Sequence, residues 1–122
     1  MSGLRTFVVF LFLFISHQIH AVNDSAILAD KFPMTLEEFA FFEDMKAQDP
    51  ADGVLPYELI STLFSDYSYK QRWVYVPDGR KATYEEDWVF NFPVGSALIK
   101  TFYYPLDERS LDKGKNMMET RV

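Results

Sequence analysis

A chain of 122 residues has room for one domain at most. Its 18 Asp and Glu against 12 Lys and Arg leave a net charge of −6, which argues against nucleic acid and anionic membrane surfaces as partners. The chain has no cysteine, so disulfides, thiolate catalysis, cysteine-ligated metals and covalently attached haem are excluded.

The N-terminus has the three-part layout of a secretory signal peptide over residues 1–21. Arg5 supplies positive charge, Phe7 to Ile15 is unbroken apolar sequence, Ser16 to His20 is more polar, and Ala21 is a small residue suited to cleavage. The apolar run is shorter than the roughly 20 residues that a membrane-spanning helix needs. A retained signal anchor is the competing reading, since Ile19 is tolerable rather than ideal for the peptidase. With no cysteine beside the cut, a lipoprotein anchor is excluded. The expected location is periplasmic or secreted, with no stable membrane span after cleavage. Cleavage also removes Arg5 and both histidines, His17 and His20. Residues 22–122 therefore hold neither Cys nor His, which removes Ser-His-Asp triads and imidazole zinc sites. No catalytic residue, metal or cofactor is expected in this chain. All seven Tyr and both Trp lie beyond residue 21 and supply apolar surface for a core.

Residues 22–34 read as a polar lead and 35–122 as a β-rich domain. Thr35 followed by Glu38 is a capping box, and Met34 with Phe39 forms a hydrophobic staple. These signals predict a helix of about ten residues from Leu36 to Lys46, ended by Asp49-Pro50. Gly53 to Tyr57 reads as extended, Leu59 to Phe64 is ambiguous, and Ser65-Asp66 is a turn. Gln71 to Val76 is a strand with Trp73 and Tyr75 on one face. Pro77-Asp78-Gly79-Arg80 turns the chain, and Glu85-Glu86-Asp87 is an exposed bend. Trp88 to Phe92 reads as a second strand, Pro93 to Ser96 as a turn, and Ala97 to Tyr104 as the longest strand. Leu106 to Asn116 reads as a charged, flexible connection. Met117 to Val122 begins another strand, so the domain is expected to be truncated at its C-terminus. The predicted class is mainly β: a small antiparallel sheet of about three to five strands with one N-terminal helix and hairpin turns at Pro77–Gly79 and Pro93–Gly95.

Several segments then carry a resemblance in their order and spacing. They are Pro56-Tyr57-Glu58-Leu59, Leu63-Phe64-Ser65-Asp66-Tyr67, Lys70-Gln71-Arg72, Val76-Pro77-Asp78-Gly79, Phe92-Pro93-Val94-Gly95, Ile99 to Pro105, and Glu119-Thr120-Arg121. The stretch from about Phe32 to Val122 resembles the N-terminal part of a family of exported bacterial conserved hypothetical proteins, some of them described as dihaem c-type cytochromes. Thr62 departs from the pattern, where Pro is expected before Leu63. The resemblance implies a longer typical member whose later, cysteine-containing region would carry haem. No catalytic or haem-binding residue transfers to this chain.

Seven residues mark a candidate ligand or interaction surface: Asp66, Tyr67, Lys70, Arg72, Trp73, Trp88 and Lys100. Lys70 and Arg72 can form an anion site with the Ser65 turn; the plainer reading is a salt bridge from Asp66 to one of them. Lys100 shares its alternation with Leu98, Phe102 and Tyr104, either snorkelling or serving as a ligand-binding lysine. Glu85, Glu86 and Asp87 match no calcium-loop spacing and read as a solvated bend. Glu58 and Asp66 are weak candidates for a glycosidase pair. Trp73, Trp88, Tyr75, Tyr84, Tyr103 and Tyr104 read as sheet core or as a sugar-stacking platform. The expected function is a non-catalytic exported β-domain with a structural or interaction role, the front module of a longer protein. The alternatives are an accessory part of an extracytoplasmic c-type cytochrome and a carbohydrate-binding module. The partner is open, its own missing C-terminal region or another exported protein among the candidates.

Overall fold

The computed structural model describes residues 21–122, so the expected signal peptide lies, but for Ala21, outside the described residues. The chain is mainly β, as its patterning predicts. A four-stranded antiparallel sheet follows chain order: β3 (Val54–Pro56), β4 (Tyr69–Tyr75), β5 (Ala97–Pro105) and β6 (Lys115–Arg121). A second, two-stranded sheet pairs β1 (Phe42–Asp44) with β2 (Asp49–Pro50). Among the described residues, no helix is long and apolar enough to cross a membrane.

Alternation decides which face of the larger sheet is buried. Trp73 and Tyr75 on β4 lie opposite Ile99 and Ala97 on β5, and all four are buried. Thr101 continues that face and is fully buried. The aromatic run Phe39, Phe41 and Phe42 packs over it. Phe39 stacks on Phe41 with ring centroids 5.3 Å apart, and Phe42 meets Trp73 edge-on at 4.9 Å. Such pairs add about 0.5–1.5 kcal/mol beyond the area they bury.

This packing explains why the helix predicted over Leu36–Lys46 does not form. The first turn is present as a short 3-10 turn at Leu36–Phe39, with the Glu38 carboxylate accepting from the Thr35 amide at 3.2 Å and its hydroxyl at 3.0 Å. The turn then stops at Ala40, which takes a left-handed conformation with φ 56°. Phe39 and Phe41 would stand about 200° apart on a helix and could not both face one sheet. Breaking the helix lets Phe39, Phe41 and Phe42 all enter the core. Asp44 competes further, its Oδ1 accepting from the amides of Lys46 and Ala47, each at 2.8 Å.

Among the described residues the one α-helix is instead a single turn, α1 (Asp24–Ile27), inside the segment read as a polar lead. The lead is tied down: the Asn23 amide donates to the Phe39 carbonyl at 3.0 Å, and Ala26 is buried. The Tyr75 hydroxyl donates to Asp24 Oδ1 at 2.7 Å.

Residues 76–96 join β4 to β5 by a long excursion. Its predicted turns are present, with Arg80 donating to the Pro77 carbonyl at 3.0 Å and Ser96 to Pro93 at 3.1 Å. They do not make tight hairpins: they stand at the root of the excursion, where Gly95 has φ +93°. A Cβ on Gly95 would lie 3.1 Å from Pro77 Cγ, so the two turns press together only because residue 95 has no side chain. The strand expected at Trp88–Phe92 reduces to one bridge, Thr83 to Asn91. With no neighbouring strand, Trp88, Val89 and Phe90 stay exposed. The connection between β5 and β6 is more ordered than its charge suggests. Asp107 accepts from the Arg109 amide at 3.0 Å and from Lys113 Nζ at 2.8 Å. These hydrogen bonds, Lys113 foremost, hold the Asp107 carboxyl below its ordinary range.

Candidate functional site

Four of the seven marked residues gather around one side of the large sheet. β4 carries Lys70 and Arg72 on the face opposite Trp73, because successive side chains alternate. Cross-strand register sets Arg72 opposite Lys100 on β5, and Lys100 opposite Arg121 on β6. The adjoining row on this face is Lys70, Phe102 and Glu119. Three cations surround the Phe102 ring: Lys100 Nζ at 4.8 Å from its centroid, the Arg121 guanidinium carbon at 5.0 Å and Lys70 Nζ at 5.9 Å. Lys100 therefore does not simply snorkel; its head rests over an aromatic ring.

Beside this face, a cleft of about 550 Å³ opens between β4 and the loop that precedes it. Lys70 and Arg72 form its basic wall, Ser65, Tyr67 and Ser68 bring hydroxyls, and Glu58 and Glu108 also line it. The loop is shaped by the Ser65–Ser68 turn, closed by the Ser68 amide donating to the Ser65 carbonyl at 2.9 Å. Its central residues, Asp66 and Tyr67, have φ values of 45° and 61°, the sign pattern of a type I′ turn. The Tyr104 hydroxyl donates to the Asp66 carbonyl at 3.1 Å, joining this turn to β5.

The salt bridge from Asp66 to Lys70 or Arg72 is not formed. Lys70 Nζ turns back to the Leu63 carbonyl at 2.8 Å, and none of the ion pairs among the described residues involves Asp66. The left-handed turn places Asp66 at the tip while the lysine reaches across its base.

The remaining marked residues lie elsewhere. Trp73 is 3 % exposed beneath Phe42 and belongs to the core. Trp88 is 76 % exposed on the excursion between β4 and β5. The six aromatics considered as one sugar platform are thus divided between the core, the sheet ends and this loop. Glu85, Glu86 and Asp87 are exposed, with the Trp88 amide donating to the Glu85 carbonyl at 3.3 Å.

Two cations escape sequence reasoning, Arg121 on the basic face and Lys115 outside the site. Arg121 lies within the Glu-Thr-Arg segment, yet its place beside Lys100 depends on a register irregularity between Phe102 and Tyr103. It binds Glu119 through Nε at 2.7 Å and a second nitrogen at 2.9 Å. That contact, with help from Lys100, lowers the Glu119 pKa. The other is Lys115, half-buried on the opposite side of the sheet, where it donates to Gln71 Oε1 and to the Ala47 carbonyl at 3.3 Å. Burial lowers its pKa, opposed in part by Asp49.

Chemically, the basic face and cleft can hold and orient anionic or hydroxyl-bearing groups. No family model, curated protein or solved structure matches the chain.

Proposed function

We propose that this chain is an exported, non-catalytic β-domain that acts by interaction, through the cleft and basic face built on β4, β5 and β6. One observation carries the reading: Tyr67, Lys70 and Arg72 line one cleft, and cross-strand register sets Lys100, from a strand distant in sequence, beside Arg72 on the adjoining face. The absence of Cys and His after residue 21 supports recognition rather than chemistry. The leader-like N-terminus supports a periplasmic or secreted location. The resemblance to exported bacterial proteins supports a role as the N-terminal module of a longer protein. Residues 22–122 do not fit covalently attached haem, which needs thiols they lack, so no step runs through that group.

Photo-crosslinking in the cells that produce the protein tests the reading. A photoreactive residue at Tyr67 or Thr62, on the cleft, should give a discrete adduct from the exported fraction. The same residue at Asp52 should give none. Adducts equal at the two places, or absent from both, would dismiss it.

Trp88 and Tyr84, 76 % and 69 % exposed, favour glycan stacking as a second reading. Loss of glycan binding in Trp88→Ala, with the fold intact, would support it. Trp73→Ala is not informative, because that side chain is core.

A further inference from the structure

We infer that the row Arg72–Lys100–Arg121, together with Lys70, binds a compact multivalent oxyanion of diphosphate size. The inference deepens the interaction reading and rests on it, since it names the ligand class for the same surface.

The row is electrostatically costly. Like charges placed directly opposite one another across strands destabilise a sheet. Here three cations face one another in succession, with a fourth in the next row. The chain is not short of acids, having 18 Asp and Glu, yet Glu119 is the one carboxylate placed by register in these two rows. It is already engaged by Arg121. Arg72 and Lys100 have no ion-pair partner among the described residues. Phe102 offsets part of the repulsion by presenting its ring to Lys100, Arg121 and Lys70. An anion spanning the row would relieve the rest.

Spacing selects the kind of anion. Adjacent strands stand about 4.8 Å apart, so Arg72 and Arg121 are rooted about 10 Å apart with Lys100 between them. Same-side groups of an extended acidic peptide recur at about 6.6 Å and would not match successive strands. The Arg72 fork and the Lys100 ammonium suit linked tetrahedral oxyanions, with Arg121 adding the N–H groups that its Nε and Nη2 contact with Glu119 leaves over. Arg72 belongs to both the row and the cleft, where the Tyr67 hydroxyl can receive an organic body attached to the anion, the Ser65 and Ser68 hydroxyls being bonded to each other at 3.0 Å.

The test titrates the exported protein with inorganic pyrophosphate, and separately with inorganic phosphate, following backbone amide shifts by NMR. Saturable shifts at residues 72, 100 and 121 are expected, with pyrophosphate binding tighter than phosphate and both weakening as salt rises. Arg72→Gln and Arg121→Gln should each weaken binding about tenfold. Lys81→Gln, on the excursion, should leave it unchanged, and undisturbed spectra elsewhere verify the folds. Absence of saturable shifts, or equal binding in the Arg72→Gln and Lys81→Gln variants, would overturn the assignment. So would dimerisation in which the row meets Glu85–Asp87 of a second copy, seen as concentration-dependent shifts without ligand. If pyrophosphate fails while the Tyr67 crosslinks persist, the ligand class falls and the interaction reading stands; if both fail, both fall.

Discussion

Replacing Tyr75 by Phe isolates the contact that ties the N-terminal segment to the sheet. The hydroxyl donates to Asp24 Oδ1 at 2.7 Å, while the ring is buried against Phe41. Burial first, then the Asp24 contact, pushes the Tyr75 pKa up to about 12 from 10.0. A proton held to about pH 12 rather than 10.0 corresponds to at most about 3 kcal/mol. Asp24 is exposed, and solvent screening brings the expected contribution to about 1 kcal/mol. The sign follows from linkage. The folded chain holds the phenolic proton more tightly than the unfolded chain, so this stabilisation is complete below pH 10 and is lost as pH rises towards 12. Urea melts of the parent and Tyr75→Phe at intervals from pH 7 to above pH 11 measure it. The variant should be about 1 kcal/mol less stable at pH 7, and the gap should close as pH rises, because only the parent loses this proton. A constant gap across that window would refute the reasoning.

Other substitutions probe the core and the loop roots. Ile99→Ala, at a fully buried position, should cost about 2–5 kcal/mol in a urea melt. Thr101→Val keeps the volume but removes an acceptor for Gln48 Nε2, now at 3.0 Å, and a hydroxyl 2.7 Å from Thr120. A loss of about 1–3 kcal/mol is expected in the same assay, because Gln48 stays buried with a partner missing. Gly95→Ala should lower the melting temperature more than Gly79→Ala. Both residues have positive φ, but only the Gly95 Cβ would press on Pro77, whereas nothing lies within 4 Å of Gly79.

Amino-acid order alone marks β4 and β5, since Gln71–Val76 and Ala97–Tyr104 are runs rich in β-branched and aromatic residues bounded by turn signals. It also marks the Ser65, Pro77 and Pro93 turns, whose residue types restrict the backbone locally. The failures at Phe39–Phe42 and Trp88–Phe92 share a cause. Both are apolar runs whose conformation is set by what lies opposite: Phe41 and Phe42 find the face of β4 and β5, whereas Trp88 finds no strand at all.

The same division runs through the candidate site. Local sequence could place Lys70, Arg72 and Lys100 on the outer faces of their strands, because alternation is a property of each strand by itself. That Arg72 faces Lys100, and Lys100 faces Arg121, depends on register across three strands and on an irregularity after Phe102. Register is settled by burying Ile99 and Thr101 on the other face, since a one-residue slip would turn every buried side chain outward. Composition and order thus determined the β character and the absence of thiol and imidazole chemistry after residue 21. Tertiary packing alone decided which charges meet, because long-range pairing is chosen by the core and not by the neighbours of any one residue.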